Sequence, residues 1–422
     1  MKKIFAASAL FCAVTAFGSG FQVLEQGASN IGTALAGSTA NANNDASAAF
    51  WNPSAAIFSG LAVGETQMDS SFTFMIPSFE FTDHGSTNPY PDGSPKHGGN
   101  GGNAGRLSYI PNFYAMHRFD EEFALTLSMT SPYGLETDYD RDWVGRFHGI
   151  NSDVMTLDIN PSIVYRPLDW LSFSVGASAQ WIHAELTQAS MLYGQEIRTS
   201  ARGSSWSGGA NVGMTINYME GGRFGVAWRS EVSHTLTGNM HLDSSPMDNI
   251  LFPISADITM PQTVNVGVYQ RLWGVLHRFA VMADYAWTGW SCFDELALKN
   301  SATGGPAGEP TTENWKDTSR VAVGFHYYPM FSENVVFRWG AAWDESPIRG
   351  SEYRTPRIPC SDRIWLSTGI GYKYKNMNFN LGYTYILFYN DSDINSTNMS
   401  GTVKGQYTGH AHLVSIQAGI RF

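Results

Sequence analysis

The residues of this chain with the means to do chemistry are charges spaced through otherwise apolar or small-residue runs. Asp158, Arg166, Arg229, Glu231, Asp284, Arg320, Arg338, Asp344, Arg363 and Arg421 all stand at positions expected to point inward. Groups of opposite sign held away from bulk water need partners, so the chemistry open to them is pairing, and most are expected to be structural. Catalysis is not indicated. The sequence has no GxSxG elbow, Walker loop or metal-binding helix. His84 and His97, in a Gly-rich stretch, lack metal-ligand spacing and read as solvated. No enzyme activity, metal or cofactor is expected. Cys12 falls in the leader, and Cys292 and Cys360 are too few for a disulfide framework. One bond between them and two isolated thiols both fit.

The elements that must carry these charges have a period of two. Val321, Val323, Phe325 and Tyr327 alternate with Arg320, Ala322, Gly324 and His326. Trp339, Ala341 and Trp343 alternate with Arg338, Gly340, Ala342 and Asp344, and Leu366, Thr368, Ile370 and Tyr372 with Arg363, Trp365, Ser367 and Gly369. This is the alternation of a strand with two different faces. A soluble sandwich also alternates, but here the apolar face is aromatic-rich and the other carries Gly and charge, as lipid outside and a polar lumen inside require. Segments of this kind lie near 61–75, 109–119, 122–133, 153–166, 170–188, 204–219, 222–238, 258–272, 277–291, 317–329, 333–345, 361–374, 377–389 and 408–422. Their connections alternate short and long, as in outer-membrane barrels with short periplasmic turns and long outer loops. The even number lets an antiparallel barrel close, leaving no edge in lipid. The expected fold is all-β: a transmembrane antiparallel barrel of fourteen strands with an N-terminal hatch, or plug, inside its lumen.

Composition agrees. Of 422 residues, 15% are charged and 14% aromatic, against roughly 25% charged in an ordinary soluble protein. No run approaches the ~20 apolar residues of a membrane helix. A net charge of -11 argues against nucleic-acid binding. Met1-Lys2-Lys3, the apolar stretch Ile4–Phe17 and small residues at Gly18, Ser19 and Gly20 read as a secretory signal peptide over 1–18. Residues 19–59, rich in Ala, Gly, Asn and Ser, read as the hatch, and 60–422 as the barrel. The expected location is the bacterial outer membrane, among lipid and lipopolysaccharide. The last strand ends in Phe422, which resembles the signal read by the barrel assembly machinery.

Two local features bear on function. Pro132, followed by Gly134, removes a ladder hydrogen bond where the third strand should pair, and either bends that strand or ends it. The connection near 239–257 holds Leu242, Met247, Ile250, Leu251 and Phe252, and an exposed apolar cluster of this kind usually contacts something.

Gly20-Phe21-Gln22, Gly32 to Gly37 and Asn52-Pro53-Ser54-Ala55 resemble the start of the FadL family of outer-membrane long-chain fatty acid transporters. Ser131-Pro132-Tyr133-Gly134-Leu135, Trp228-Arg229-Ser230-Glu231-Val232, Trp315-Lys316-Asp317, Trp343-Asp344-Glu345-Ser346-Pro347 and Ile358-Pro359-Cys360-Ser361-Asp362-Arg363 continue the resemblance in order along the chain. It implies passive, hatch-gated diffusion of fatty acids or other hydrophobic small molecules. It places Phe21 and Lys316 in a lumenal pocket, Lys316 as carboxylate anchor. Asn52, Pro53, Ser54 and Ala55 become the hatch motif. Pro132, Tyr133, Gly134 and Leu135 become a lateral gate, and the 239–257 cluster an outer groove. A second basic position of the family is Gln188 here, which leaves uncharged aromatic or aliphatic hydrocarbons as an alternative cargo. A surface adhesin or structural barrel is the alternative of another class.

Overall fold

The computed structural model describes residues 20–89, 98–243, 250–390 and 392–422. The leader over 1–18, His97 and Met247 lie outside the described residues. Fourteen strands form the wall: Thr66–Asp83, Ser108–Arg118, Phe123–Thr130 resumed as Gly134–Asp138, Asn151–Leu168, Leu171–Leu192, Gln195–Met219, Gly222–Arg229 resumed as Val232–Asp243, Ile250–Met260 resumed as Thr263–Arg271, Phe279–Thr288, Thr318–Tyr327, Val335–Asp344, Asp362–Tyr374, Met377–Tyr389 and Gly401–Arg421. They are called first to fourteenth in that order. Each pairs antiparallel with the next, and the fourteenth closes on the first from Gln67–Arg421 to Asp83–Gly405.

Closure follows from the solvent. Hydrocarbon offers backbone groups no partner, so every ladder bond on the lipid side must be made within the wall. The side chains sort accordingly. Phe72, Phe74, Val323, Leu366, Leu381 and Ile416 point outward and are exposed, while Asp69, Arg320, Arg338, Asp344 and Arg363 point inward and are buried. Glu231, expected inward, is instead exposed, because it stands at the break in the seventh strand where alternation is lost.

Three stretches differ from the sequence reading. The region near 189–203 is no loop: the fifth and sixth strands run on as one long hairpin, paired to Leu192–Gln195. The region near 239–257 is the outer hairpin of the seventh and eighth strands, with Leu242 opposite Ile250. Beyond the membrane both faces meet water, so apolar alternation stops although pairing continues. Gly134–Asp138, assigned to a loop, pairs with the fourth strand.

Residues 20–59 fill the lumen as short helical turns, Ala28–Ile31, Ala48–Trp51 and Pro53–Phe58. Small side chains let this segment lie against the wall, and the wall gives way in turn. A Cβ on Gly340 would overlap the Thr33 carbonyl, and one on Gly382 would meet the Ala28 carbonyl. Inward charges bind hatch backbone rather than only one another. Asp284 accepts from the Gly37 and Thr39 amides, Arg320 donates to the Ala34 carbonyl at 2.8 Å, and Arg229 to the Phe50 carbonyl at 2.8 Å. Arg363 pairs with Asp344 behind them.

Gly340→Val should leave the barrel assembled and loosen the hatch. Overpacking of this kind costs about 1–3 kcal/mol, so amide exchange over residues 28–58 should rise by roughly tenfold while wall amides stay protected.

Candidate functional site

The third strand is broken at Ser131-Pro132-Tyr133. Its first part pairs with both neighbours, but the second strand finds it only from Phe113 to Arg118, which leaves Ser108–Asn112 paired on one side. After the break, Gly134–Asp138 pairs with the fourth strand alone. Pro132 is the cause the sequence offers: it has no amide to donate.

The backbone groups exposed by this break are met from inside. Gln26 Nε2 donates to the Ser131 carbonyl at 3.0 Å, the Val23 amide to the Pro132 carbonyl at 2.8 Å, and the Gly134 amide to the Phe21 carbonyl at 2.9 Å. Gln22 and Tyr133 form an antiparallel bridge. The N-terminal segment is thus a short extra strand on the broken one. The Tyr133 hydroxyl reaches across the lumen to the Pro261 carbonyl at 2.9 Å, where the eighth strand is itself interrupted.

Because this segment is extended, successive side chains face different spaces. Phe21 faces a narrow cavity, together with Leu135, Val154, Ile182, Leu186, Leu236, Ile254, Phe293 and Ile358. Phe21 is 2% exposed, with its ring 4.8 Å from Trp290, 5.6 Å from Phe293 and 5.8 Å from Trp315. Gln22, Leu24, Pro132 and Tyr133 face a second cavity, lined by Asp158, Gln180, Arg229, Thr263 and Arg320. The Phe21–Leu24 and Pro132–Leu135 segments are the partition between an apolar and a polar compartment.

Three charged residues line the apolar cavity: Arg202, which pairs with Glu185 at 2.8 Å, and Glu313 and Arg357, both from connections between strands. Arg357 donates to Ser152 Oγ at 3.0 Å and to Gln188 Oε1 at 2.6 Å, and has no ion pair among the described residues. Its pKa is pushed down to about 10 by burial. Glu313 accepts from Trp315 Nε1 at 3.0 Å, and burial raises its carboxyl to about 8. A buried guanidinium with only neutral partners suits an anionic head group, while apolar walls suit a hydrocarbon body.

The sequence-derived residues divide. Phe21 and Leu135 line the apolar cavity, and Tyr133 stands at the partition. Lys316 does not line that cavity: it pairs with Glu345 at 2.7 Å and is partly exposed, while its neighbour Trp315 turns inward. Gln188 touches the cation that stands there instead, supplied by Arg357 from another connection. Asn52 donates to the Thr39 carbonyl and to Thr215 Oγ1, and Ser54 bonds both Asn52 and Thr215. Pro53 opens the short helical turn that ends at Phe58, and Ala55 is buried in it. Leu242, Leu251 and Phe252 lie on the outer hairpin. The cleft beside Leu251 is lined by His183, Glu185, Arg198 and Asp243 and is not an apolar groove. Cys292 and Cys360 are not joined to one another by a disulfide.

Residues 9–422 match the family model described as "Outer membrane protein transport protein (OMPP1/FadL/TodX)". The chain is 26% identical to the long-chain fatty acid transport protein of Escherichia coli O6:H1, over 91% of this chain and 92% of that one. It is 25% identical to outer membrane protein P1 of Haemophilus influenzae, over 91% and 89%. Among solved structures, a Pseudomonas aeruginosa FadL homologue superposes with a TM-score of 0.85 at 20% identity, over 95% of this chain and 99% of that one. The Ralstonia pickettii toluene transporter TbuX gives 0.63 at 17%, over 89% and 94%.

Phe21→Ala should detach the N-terminal segment from the broken strand. Truncating a buried Phe costs about 3–5 kcal/mol, so protection of the Val23 amide from hydrogen exchange should fall by more than tenfold, with wall strands unchanged.

Proposed function

Because the chain belongs to the OMPP1/FadL/TodX family of outer membrane transport proteins, and so carries hydrophobic compounds rather than transforming them, we propose that its cargo is long-chain fatty acids. The observation that carries this reading is Arg357 at the wall of an apolar cavity with no ion pair of its own among the described residues. An alkyl chain gains about 0.8 kcal/mol for each methylene it buries. The guanidinium then fixes the carboxylate by charge-assisted hydrogen bonds, displacing neutral partners that lose little by being released.

Passage needs the partition to move. While Phe21, Gln22 and Val23 sit on the third strand, the apolar cavity is closed below. Withdrawal of that segment joins the two compartments and strips the partners from the Ser131 and Pro132 carbonyls and the Gly134 amide, leaving a gap in the wall beside Ser108–Asn112. We assign the exit of the cargo to this gap. The hatch motif at Asn52–Ala55, tied to Thr215, anchors the rest of the plug so that only its leading segment need move.

Glu313 adds a pH dependence. Its carboxyl is raised to about 8, so it is neutral at pH 7 and leaves Arg357 to the cargo. As the pH rises through about 8 it ionises and repels a second carboxylate.

Arg357→Ala should weaken oleate binding by about tenfold or more, the worth of a charge-assisted bond, and leave toluene binding unchanged. Lys316→Ala, removing a partly exposed pair, should do little to either. Equal loss of oleate and toluene on Arg357→Ala would refute the anchor. Uptake of toluene without oleate would move the cargo to uncharged hydrocarbons. Oleate binding by the unaltered protein should also fall between pH 7 and 9, and Glu313→Gln should abolish that fall.

A further inference from the structure

The wall has a second seam, between the sixth and seventh strands. The two pair from Asn211–Arg229 towards the short-turn end and again from Ser204–Thr237 outward. Between these, Ser205–Ala210 and Ser230–Leu236 face one another without a ladder. Each flank is fully paired on its other side, Ser205–Ala210 with the fifth strand and Val232–Leu236 with the eighth. The break is therefore local rather than a frayed edge. Serine hydroxyls stand in for ladder bonds: the Ala210 amide donates to Ser230 Oγ at 2.9 Å, and Ser207 Oγ to the Ser233 carbonyl at 2.6 Å. One backbone bond, from the Ser230 amide to the Ala210 carbonyl, remains at 2.9 Å.

The seam lies where the outer surface changes character. Below it Val212 is exposed on the apolar band, and Trp206 stands exposed on its sixth-strand side. Within it the exposed residues of the seventh strand are Glu231, Ser233 and Thr235. Directly behind it is the polar compartment, whose lining includes Ala210, exposed outside, and Asp158, buried inside. The narrowest point is made of glycine. A Cβ on Gly209 would come within 2.8 Å of Val232 Cγ2 and 3.2 Å of Ser230 Oγ, whereas one on Gly208 would meet only the Ser178 carbonyl, at 3.6 Å. Unpaired backbone at membrane depth is tolerated only where it lines a cavity or is buried in protein. The cavity behind this seam meets that condition.

We propose that this seam is a second lateral portal, through which the hydrocarbon body of a single-chain amphiphile passes between the polar compartment and the outer leaflet while its polar head stays on the cluster of Arg229, Asp158 and Gln180. Arg229 lies 3.8 Å from Asp158, and Gln180 Nε2 donates to Asp158 at 3.2 Å, so the cluster presents cationic, amide and carboxylate groups to a head held inside. The portal is separate from the third-strand gap but is coupled to it. Tyr133, on the broken third strand, holds the Pro261 carbonyl, and Pro261 lies between Met260, paired with Val232, and Thr263, paired with Arg229. Withdrawal of the N-terminal segment loosens both. The proposal rests on membership of a hydrophobic-compound transporter family and not on the identity of the cargo.

The test is thiol labelling from the lipid phase. Ser178→Cys places a thiol on the fifth strand directly behind the seam, and Ser174→Cys places one on the same inward face behind an unbroken wall, at the Ser174–Gly213 pair. The reconstituted full chain is exposed to a phospholipid carrying a maleimide on its acyl chain, with the unaltered protein as background for Cys292 and Cys360. Ser178→Cys should label at least about tenfold faster than Ser174→Cys, because only an opening in the wall admits a lipid-confined reagent. Equal rates, or none above background, would overturn the portal. Ser207→Cys, on the sixth strand within the seam, reads the same point should Ser178→Cys fail to assemble. Labelled Ser178→Cys should then take up oleate several-fold more slowly than the unlabelled variant. Full uptake by fully labelled protein would also overturn the proposal. Labelling in a protein that takes up no oleate at all would keep the portal and refute the fatty acid reading.

Discussion

In hydrocarbon an unmade backbone hydrogen bond costs several kcal/mol, and that single constraint orders this molecule. It forces the strands into a closed cylinder, which for a transporter is also the difficulty. A wall with no unmet hydrogen bond has no side door. A side door exists only where some other group can take over the bonds that the missing neighbour would have made. At the third strand that group is the N-terminal segment, whose Phe21, Val23 and Gln26 satisfy Ser131, Pro132 and Gly134. At the sixth and seventh strands it is a set of serine hydroxyls.

Plug and gap are therefore one device. The segment that closes the lumen is the segment that makes the broken strand tolerable, so it cannot leave without exposing the break. The remainder of the hatch is held by inward charges, Asp284, Arg320 and Arg229, acting on its backbone. These groups differ in kind from Arg357. The former are spent on the plug, whereas Arg357 donates only to neutral groups, in a cavity built mainly of aliphatic and aromatic side chains.

Much of the wall was legible because lipid and lumen impose opposite demands on alternate residues, as at Val321–Tyr327 against Arg320–His326. Legibility ended where water lay on both sides. The fifth-to-sixth hairpin carries Glu185, Arg198 and Arg202 beyond the membrane, loses its apolar period and reads as a loop. The site was legible where chemistry is local: Pro132 announces its break. It was hidden where two connections meet. Arg357 and Gln188 are far apart in sequence, so the cation that stands beside Gln188 could not be read from either stretch alone. Lys316 was placed as anchor by resemblance alone, and its partner Glu345 comes from a different connection. The second seam arises from pairing register, and its only sequence marks, Gly208-Gly209 and Pro261, are ordinary signs of irregular strands.

The most direct test is to pin the N-terminal segment to the broken strand. Gln22 and Tyr133 are bridge partners, so Gln22→Cys with Tyr133→Cys allows a disulfide between them. Uptake of labelled oleate is then measured in cells lacking their own transporter, before and after oxidation and again after reduction. The account predicts uptake when reduced, loss when oxidised and recovery on reduction, with the unaltered protein indifferent to the cycle. Undiminished uptake with the crosslink complete would contradict it.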